Sequence, residues 1–152
     1  MIDKKQLRKV VEDTLKYINL YSEDATNLIL GTIAQESAGG KYIQQLGSGV
    51  AQGICQMEAA TFWDIVDRYL RFKPNLKLLI EDVANIRDWK ASSLTTNLIF
   101  SIAMCRVHYL RDSKPIPSDL EGQAAVWKRC YNTHLGAGTE EEYIRNYKKY
   151  VE

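Results

Sequence analysis

Apolar residues recur at spacings of three and four along almost the whole chain, which is the signature of amphipathic helices. From Asp3 to Leu20, Leu7, Val10, Val11, Leu15 and Ile18 form one side, and Lys4, Lys5, Arg8, Lys9 and Lys16 the other. Ser22 is an N-cap for a second helix, with Glu23 and Asp24 at its positive dipole end. That helix carries Ala25, Leu28, Ile29 and Ile33 as its apolar stripe and stops at Gly39-Gly40. Lys41 to Ile54 is too glycine-rich for a helix; Tyr42, Ile43 and Val50 around Gly47-Ser48-Gly49 predict a short hairpin. Phe62, Ile65, Val66, Tyr69 and Leu70 mark a helix from Glu58 to about Phe72, ended by Pro74. Leu76, Leu79, Ile80, Val83 and Ile86 mark a shorter one.

Leu94 to Leu110 is the longest apolar segment and predicts the central buried helix. Ser118 to Glu121 reads as a capping box for a helix that buries Leu120, Ala124 and Trp127 and ends near Tyr131-Asn132. Thr139 to Glu142 reads as a second capping box, for a last helix carrying Tyr143, Ile144, Tyr147, Tyr150 and Val151. About seven helices and one small β-hairpin predict an α+β, mostly α-helical fold. With no repeat and no interdomain linker, residues 1–152 are expected to form a single domain.

Composition narrows the function classes. The apolar fraction of 45% and charged fraction of 26% are those of an ordinary globular protein. A net charge of +1 gives no electrostatic case for nucleic acid, and the lysine face of the first helix reads as solvated surface rather than a site for an anionic polymer. Cys55, Cys105 and Cys130 are widely spaced and odd in number, which argues for reduced thiols. No Cys/His cluster predicts a metal, and no glycine-rich phosphate loop predicts a cofactor. No G-x-S-x-G elbow supports a serine hydrolase built on Ser37, His108 and His134; His108 reads as a surface or hydrogen-bonded core histidine. No apolar run approaches ~18 residues, so no membrane insertion is expected. The charged N-terminus lacks the apolar core of a secretory signal, so synthesis in the cytoplasm is expected.

Chemistry points to Glu36. It lies three residues after Ile33 and seven after Ile29, which places a carboxyl on the apolar stripe at the helix end. Burial and the negative end of the helix dipole both disfavour its charged form and raise its pKa. A carboxyl still protonated near neutral pH can protonate a glycosidic oxygen as it leaves. The competing reading puts its head in water at the helix edge.

The residues Glu36-Ser37, then Ala51-Gln52-Gly53-Ile54-Cys55-Gln56-Met57, then Thr61, then Tyr131-Asn132, follow one another in an order that resembles the soluble lytic transglycosylases of the lysozyme-like superfamily. The resemblance spans about Leu28 to Tyr147. It departs at Val50, where the family has Gly, at Cys55, at Glu58-Ala59 in place of Met-Pro, and at His134. The resemblance implies a lysozyme-like helical bundle with a small hairpin beside the cleft. It also implies cleavage of the β-1,4 bond between N-acetylmuramic acid and N-acetylglucosamine, with peptidoglycan glycan strands as partner. Glu36 would be the catalytic acid and then the base on the muramic 6-hydroxyl. Ser37, Gln56, Glu58, Tyr131 and Asn132 would bind substrate, and no cofactor would be needed. A wall-cleaving enzyme without a signal implies delivery in a phage particle, with other particle proteins as partners, or release through a membrane lesion.

Several alternatives remain open on the sequence. A hydrolase needs a second carboxylate, about 5–5.5 Å away as nucleophile or about 6.5–9.5 Å away as base. Glu58, at a helix start, and Asp64, toward the polar side of that helix, are the candidates. Tyr131-Asn132 also reads as a plain helix end, and Trp89 as a core or rim residue rather than a sugar platform. A catalytically inactive phage structural or wall-binding module is the reading from another class.

Overall fold

The computed structural model of the chain describes residues 2–47, 49–132 and 136–152. Among these residues, eight α-helices carry nearly all the regular structure. They are α1 (Lys4–Tyr17), α2 (Glu23–Ser37), α3 (Ala59–Arg68), α4 (Pro74–Ala84), α5 (Ser93–Thr96), α6 (Leu98–Leu110), α7 (Leu120–Val126) and α8 (Glu140–Tyr150). A 3-10 turn spans Leu70–Phe72, and a π-helical turn, Trp127–Asn132, extends α7.

Polar side chains fix most helix starts. Asp3 accepts from the amides of Lys5 and Gln6, Ser22 from Ala25, and Thr139 from Glu142, each at 3.0–3.1 Å. Each bond satisfies an amide that the helix itself leaves free. At the fourth start the cap moves by one residue from the sequence expectation. Asp119, not Ser118, accepts from Gly122 N at 3.1 Å, while Ser118 Oγ donates to Asp24 at 3.0 Å. A carboxylate gains more than a hydroxyl from the helix dipole at that position.

α6 is apolar all round and is the centre of the molecule. Phe100, Ile102, Ala103, Met104, Cys105 and Val107 are all fully buried, as expected of a helix with neighbours on every side. α1, α2, α3 and α4 pack against it, and α8 lies along α2. Phe62 of α3 meets Phe100 edge-on at 5.8 Å, and Ile29, Ile33 and Leu28 of α2 close the core from the other side.

Three expectations are corrected. The segment predicted as one helix from Leu94 breaks at Asn97, whose Oδ1 caps α6 through Phe100 N at 3.0 Å and whose Nδ2 donates to Ala84 O at 2.8 Å. The break makes eight helices of the predicted seven and leaves Leu98 partly exposed. Pro74 opens α4 at its first turn, where a missing N–H costs nothing; the preceding helix already ends at Arg68. The predicted hairpin is not shown by any strand among the described residues. Among the described residues, the segment from Tyr42 to Met57 holds only two isolated antiparallel bridges, Gln44 with Gln52 and Gln52 with Met57. Gln45 explains the outcome: its backbone N–H and its side-chain oxygen both bond to Ala51, so side-chain closure replaces a strand ladder. Ser48 of that turn lies outside the described residues, as does His134.

Candidate active site

Glu36 sits in the last turn of α2. The helix ends at Ala38, which adopts a left-handed conformation (φ 52°), followed by Gly39 and Gly40 at φ 70° and 89°. Two glycines allow the chain to turn sharply away there, and the carboxyl is left at the floor of a cleft. Its surroundings take it largely out of water, and burial raises its pKa from 4.5 to about 7. One contact opposes this. Trp127 Nε1 donates to Oε1 at 3.1 Å, which favours the charged form in part. The carboxyl thus continues the apolar stripe, largely buried, with its remaining exposure toward the cleft.

The cleft above it has a volume of about 570 Å³. It is lined by Gln56, Met57, Glu58 and Thr61 from the segment that leads into α3, by His108 of α6, and by Tyr131, Asn132, Gly136 and Ala137. A second groove of about 410 Å³ adjoins it and is lined by Gln35, Tyr42, Gln44, Gln45 and Leu46. Glu36, Gln45, Ala51 and Gln56 border both. The acid therefore faces space on two sides, the arrangement that an internal bond of a polymer requires.

Of the residues picked from the sequence, Gln56, Glu58, Tyr131 and Asn132 reach the cleft with Glu36, and Ser37 does not. Ser37 is fully buried; its Oγ donates to Ile33 O at 3.0 Å and accepts from Gly40 N at 3.1 Å. One residue along a helix is a turn of about 100°, which carries Ser37 off the face that Glu36 occupies and into a helix-closing role. Gln56 holds a left-handed backbone (φ 49°), and its Nε2 donates to Gly53 O at 2.8 Å. Its side-chain oxygen has no partner among the described residues. Glu58 precedes α3 without bonding to its amides, so its exposed carboxylate is free toward the cleft. Tyr131 Oη donates to Cys55 O at 2.5 Å, and its ring stacks on Tyr109 at 5.5 Å. Asn132 Oδ1 accepts from Lys128 Nζ at 2.7 Å, and the same ammonium reaches Gly136 O at 3.1 Å and Gly138 O at 2.7 Å. A single lysine thereby holds the rim of the cleft closed on itself.

The other candidates are accounted for elsewhere. Asp64 pairs with Arg111 at 2.7 Å and Arg68 at 3.4 Å and does not line the cleft. Trp89 packs on Phe62 and Phe100, with its indole N–H on Glu81 Oε2 at 2.8 Å, which is a core role. His108 does line the cleft. Arg111 can only donate, so Nδ1 accepts from it at 2.9 Å and Nε2 donates to Cys130 O at 3.0 Å. Burial, then the Arg111 charge, push this imidazole down to about 4, so it is neutral near pH 7. Among the described residues no group of three or more His, Cys, Asp and Glu side chains is placed to hold a metal ion, and no helix is long and apolar enough to cross a membrane.

The residue that sequence reading missed is Trp127. Its apolar character placed it in the core, and it is fully buried. Only the π-helical turn brings its N–H to Glu36 while Tyr131, four residues on, still reaches the cleft. Such turns frequently mark functional sites, but their wider winding leaves no periodicity signal in six residues. A carboxyl half protonated at neutral pH, a neutral imidazole and, without partners among the described residues, an amide oxygen and the Glu58 carboxyl are thus gathered around one groove. That set can donate a proton to a leaving oxygen and hydrogen-bond a neutral polar substrate. No protein-family model, curated protein or solved structure matches this chain.

Proposed function

We propose that this protein degrades peptidoglycan, cleaving the β-1,4 bond between N-acetylmuramic acid and N-acetylglucosamine with Glu36 as general acid and then base. The observation that carries the reading is the ionisation of Glu36, held near 7 by burial at the floor of an open, two-sided groove. An acid with that pKa is half protonated at neutral pH and close to the optimum for transferring a proton to a leaving sugar oxygen. The glutamine-rich lining suits uncharged hydroxyl and acetamido groups. The mostly helical architecture and the order of the Glu36, Gln56 and Tyr131-Asn132 motifs support a lysozyme-like domain of the lytic transglycosylase type.

Within this reading the transglycosylase outcome is favoured. Asp64 is engaged by two arginines away from the cleft, which among the described residues leaves Glu58 as the carboxylate beside Glu36 on the cleft lining. Its position on the cleft wall, free of a capping bond, supports the second reading, a lysozyme-type muramidase. Mass spectrometry of the released muropeptides separates the two. Anhydro-muramic ends are expected; reducing ends that carry labelled solvent oxygen overturn the transglycosylase and promote Glu58. Failure of purified protein to clear a peptidoglycan suspension that it binds refutes both and leaves a wall-binding or structural module.

A further inference from the structure

The environment of the Glu36 carboxyl differs at its two oxygens. Oε1 accepts the Trp127 indole N–H at 3.1 Å. Oε2 has no hydrogen-bond partner among the described residues, and the side chain lines the groove on both sides. An N–H cannot accept a hydrogen bond, so the proton of the neutral acid does not sit between Oε1 and the indole.

The indole has little freedom to leave. It is fully buried and stacks on Tyr143 at 5.4 Å with the planes 30° apart. Tyr143 is itself anchored to α2, its Oη donating to Leu28 O at 3.2 Å and its ring packing where Gly31 lacks a side chain. On another side, a Cβ at Gly138 would stand 2.7 Å from Trp127 Cη2. The indole is therefore wedged between α8, the π-helical turn and the Gly138 backbone, and its N–H is aimed by packing. We propose that Trp127 is a positioning residue that divides the two oxygens of Glu36 between tasks, anchoring Oε1 and leaving Oε2 to carry the transferable proton into the groove. The inference rests on the reading of Glu36 as the acid.

Two consequences follow. The fixed contact restricts rotation of the carboxyl, so the proton is presented in one direction, and small angular errors at this step are costly. The N–H also stabilises the carboxylate and keeps the ionisation from rising as far as burial alone would drive it. Other titratable groups around Glu36 do not take over this role. Cys105, Tyr109, Tyr131 and Tyr143 are all pushed up by burial and stay neutral at neutral pH, and His108 is neutral there as well.

The test is Trp127→Phe, followed by NMR titration of carboxyl-labelled glutamate, with the Glu36 signal assigned by its loss in Glu36→Gln. The midpoint of Glu36 should rise by ~1 pH unit, the effect of removing a hydrogen bond to a charged group. The alkaline limb of the lysis profile should move with it, and kcat should fall roughly tenfold with KM within about twofold, the pattern of lost orientation rather than lost binding. An unmoved Glu36 midpoint overturns the proposal, even if Glu36→Gln is inactive. Conversely, a midpoint that rises while Glu36→Gln still lyses refutes Glu36 as the acid and leaves the indole contact intact. Should Phe at 127 fail to fold, the sulfur isostere of tryptophan, which keeps the shape and lacks the N–H, is incorporated at that position and read in the same way.

Discussion

Glu36→Gln should make the protein more stable at alkaline pH while abolishing its lytic activity. The magnitude follows from the ionisation of the carboxyl, raised from 4.5 to about 7 by burial. The folded state holds this proton more tightly than the unfolded chain does. Stability associated with Glu36 is therefore complete below about pH 4.5, is lost as pH rises toward 7, and stays lost above it. At ~1.4 kcal/mol per pH unit, the charged carboxylate costs the fold about 3 kcal/mol above pH 7. Glutamine is neutral at every pH, fills the same volume and keeps an oxygen to accept from Trp127 Nε1. Denaturant unfolding should then give equal stabilities at pH 4.5, within about 0.5 kcal/mol. At pH 8.5 the variant should be ahead by up to ~3 kcal/mol, or roughly 6–12 °C in Tm for a chain of this length. Activity should drop at least ~10²-fold. The reasoning is refuted if wild type and variant keep the same stability at pH 8.5, because a carboxyl that costs nothing to ionise is not buried and has no raised pKa.

Four further outcomes are expected. Lysis should decline as pH rises through about 7, where Glu36 loses its proton; a rate that climbs steadily from pH 6 to 9 contradicts a general-acid role, and added chelator should leave the rate unchanged. Gly31→Ala should place a methyl group against the Tyr143 ring and cost ~1–3 kcal/mol of stability as an overpacked core, with lysis falling because Trp127 shifts with Tyr143; an unaltered melting curve argues against the packing described. Asn97→Ala should cost about 1 kcal/mol through the lost cap of α6, and kcat should hold, since Asn97 lies outside the cleft.

Much of the architecture is written in local patterns. The caps at Ser22 and Thr139, the stripes on α1, α2 and α3, and the apolar length of α6 depend on neighbours within a few residues, so periodicity and cap chemistry predict them. Glu36 was legible for the same reason: a carboxyl on an apolar stripe next to a double glycine is a local anomaly. The capping error at Ser118 was also local, a choice between two adjacent oxygens that only the competing bond to Asp24 settles.

What the chain by itself did not reveal depends on residues far apart in sequence. Asn97 breaks a continuous apolar run because Ala84 O lies 2.8 Å from its amide. Where a hairpin was predicted, the described residues show isolated bridges, with the Gln45 side chain accepting from Ala51 N across the loop. Trp127 looked like core and is core, yet its N–H meets a carboxyl 91 positions earlier. Glu58, at the start of α3, and Asp64, within it, were both candidates, and Arg111 at the end of α6 engages the second while the first has no side-chain partner among the described residues. Helix periodicity says which face a side chain takes, but the direction of a single N–H or carboxylate is set by what the rest of the fold packs against it. The Glu36 carboxyl and the direction of its ionisation were therefore legible in the sequence, and the groove around it and its indole partner were decided by tertiary structure.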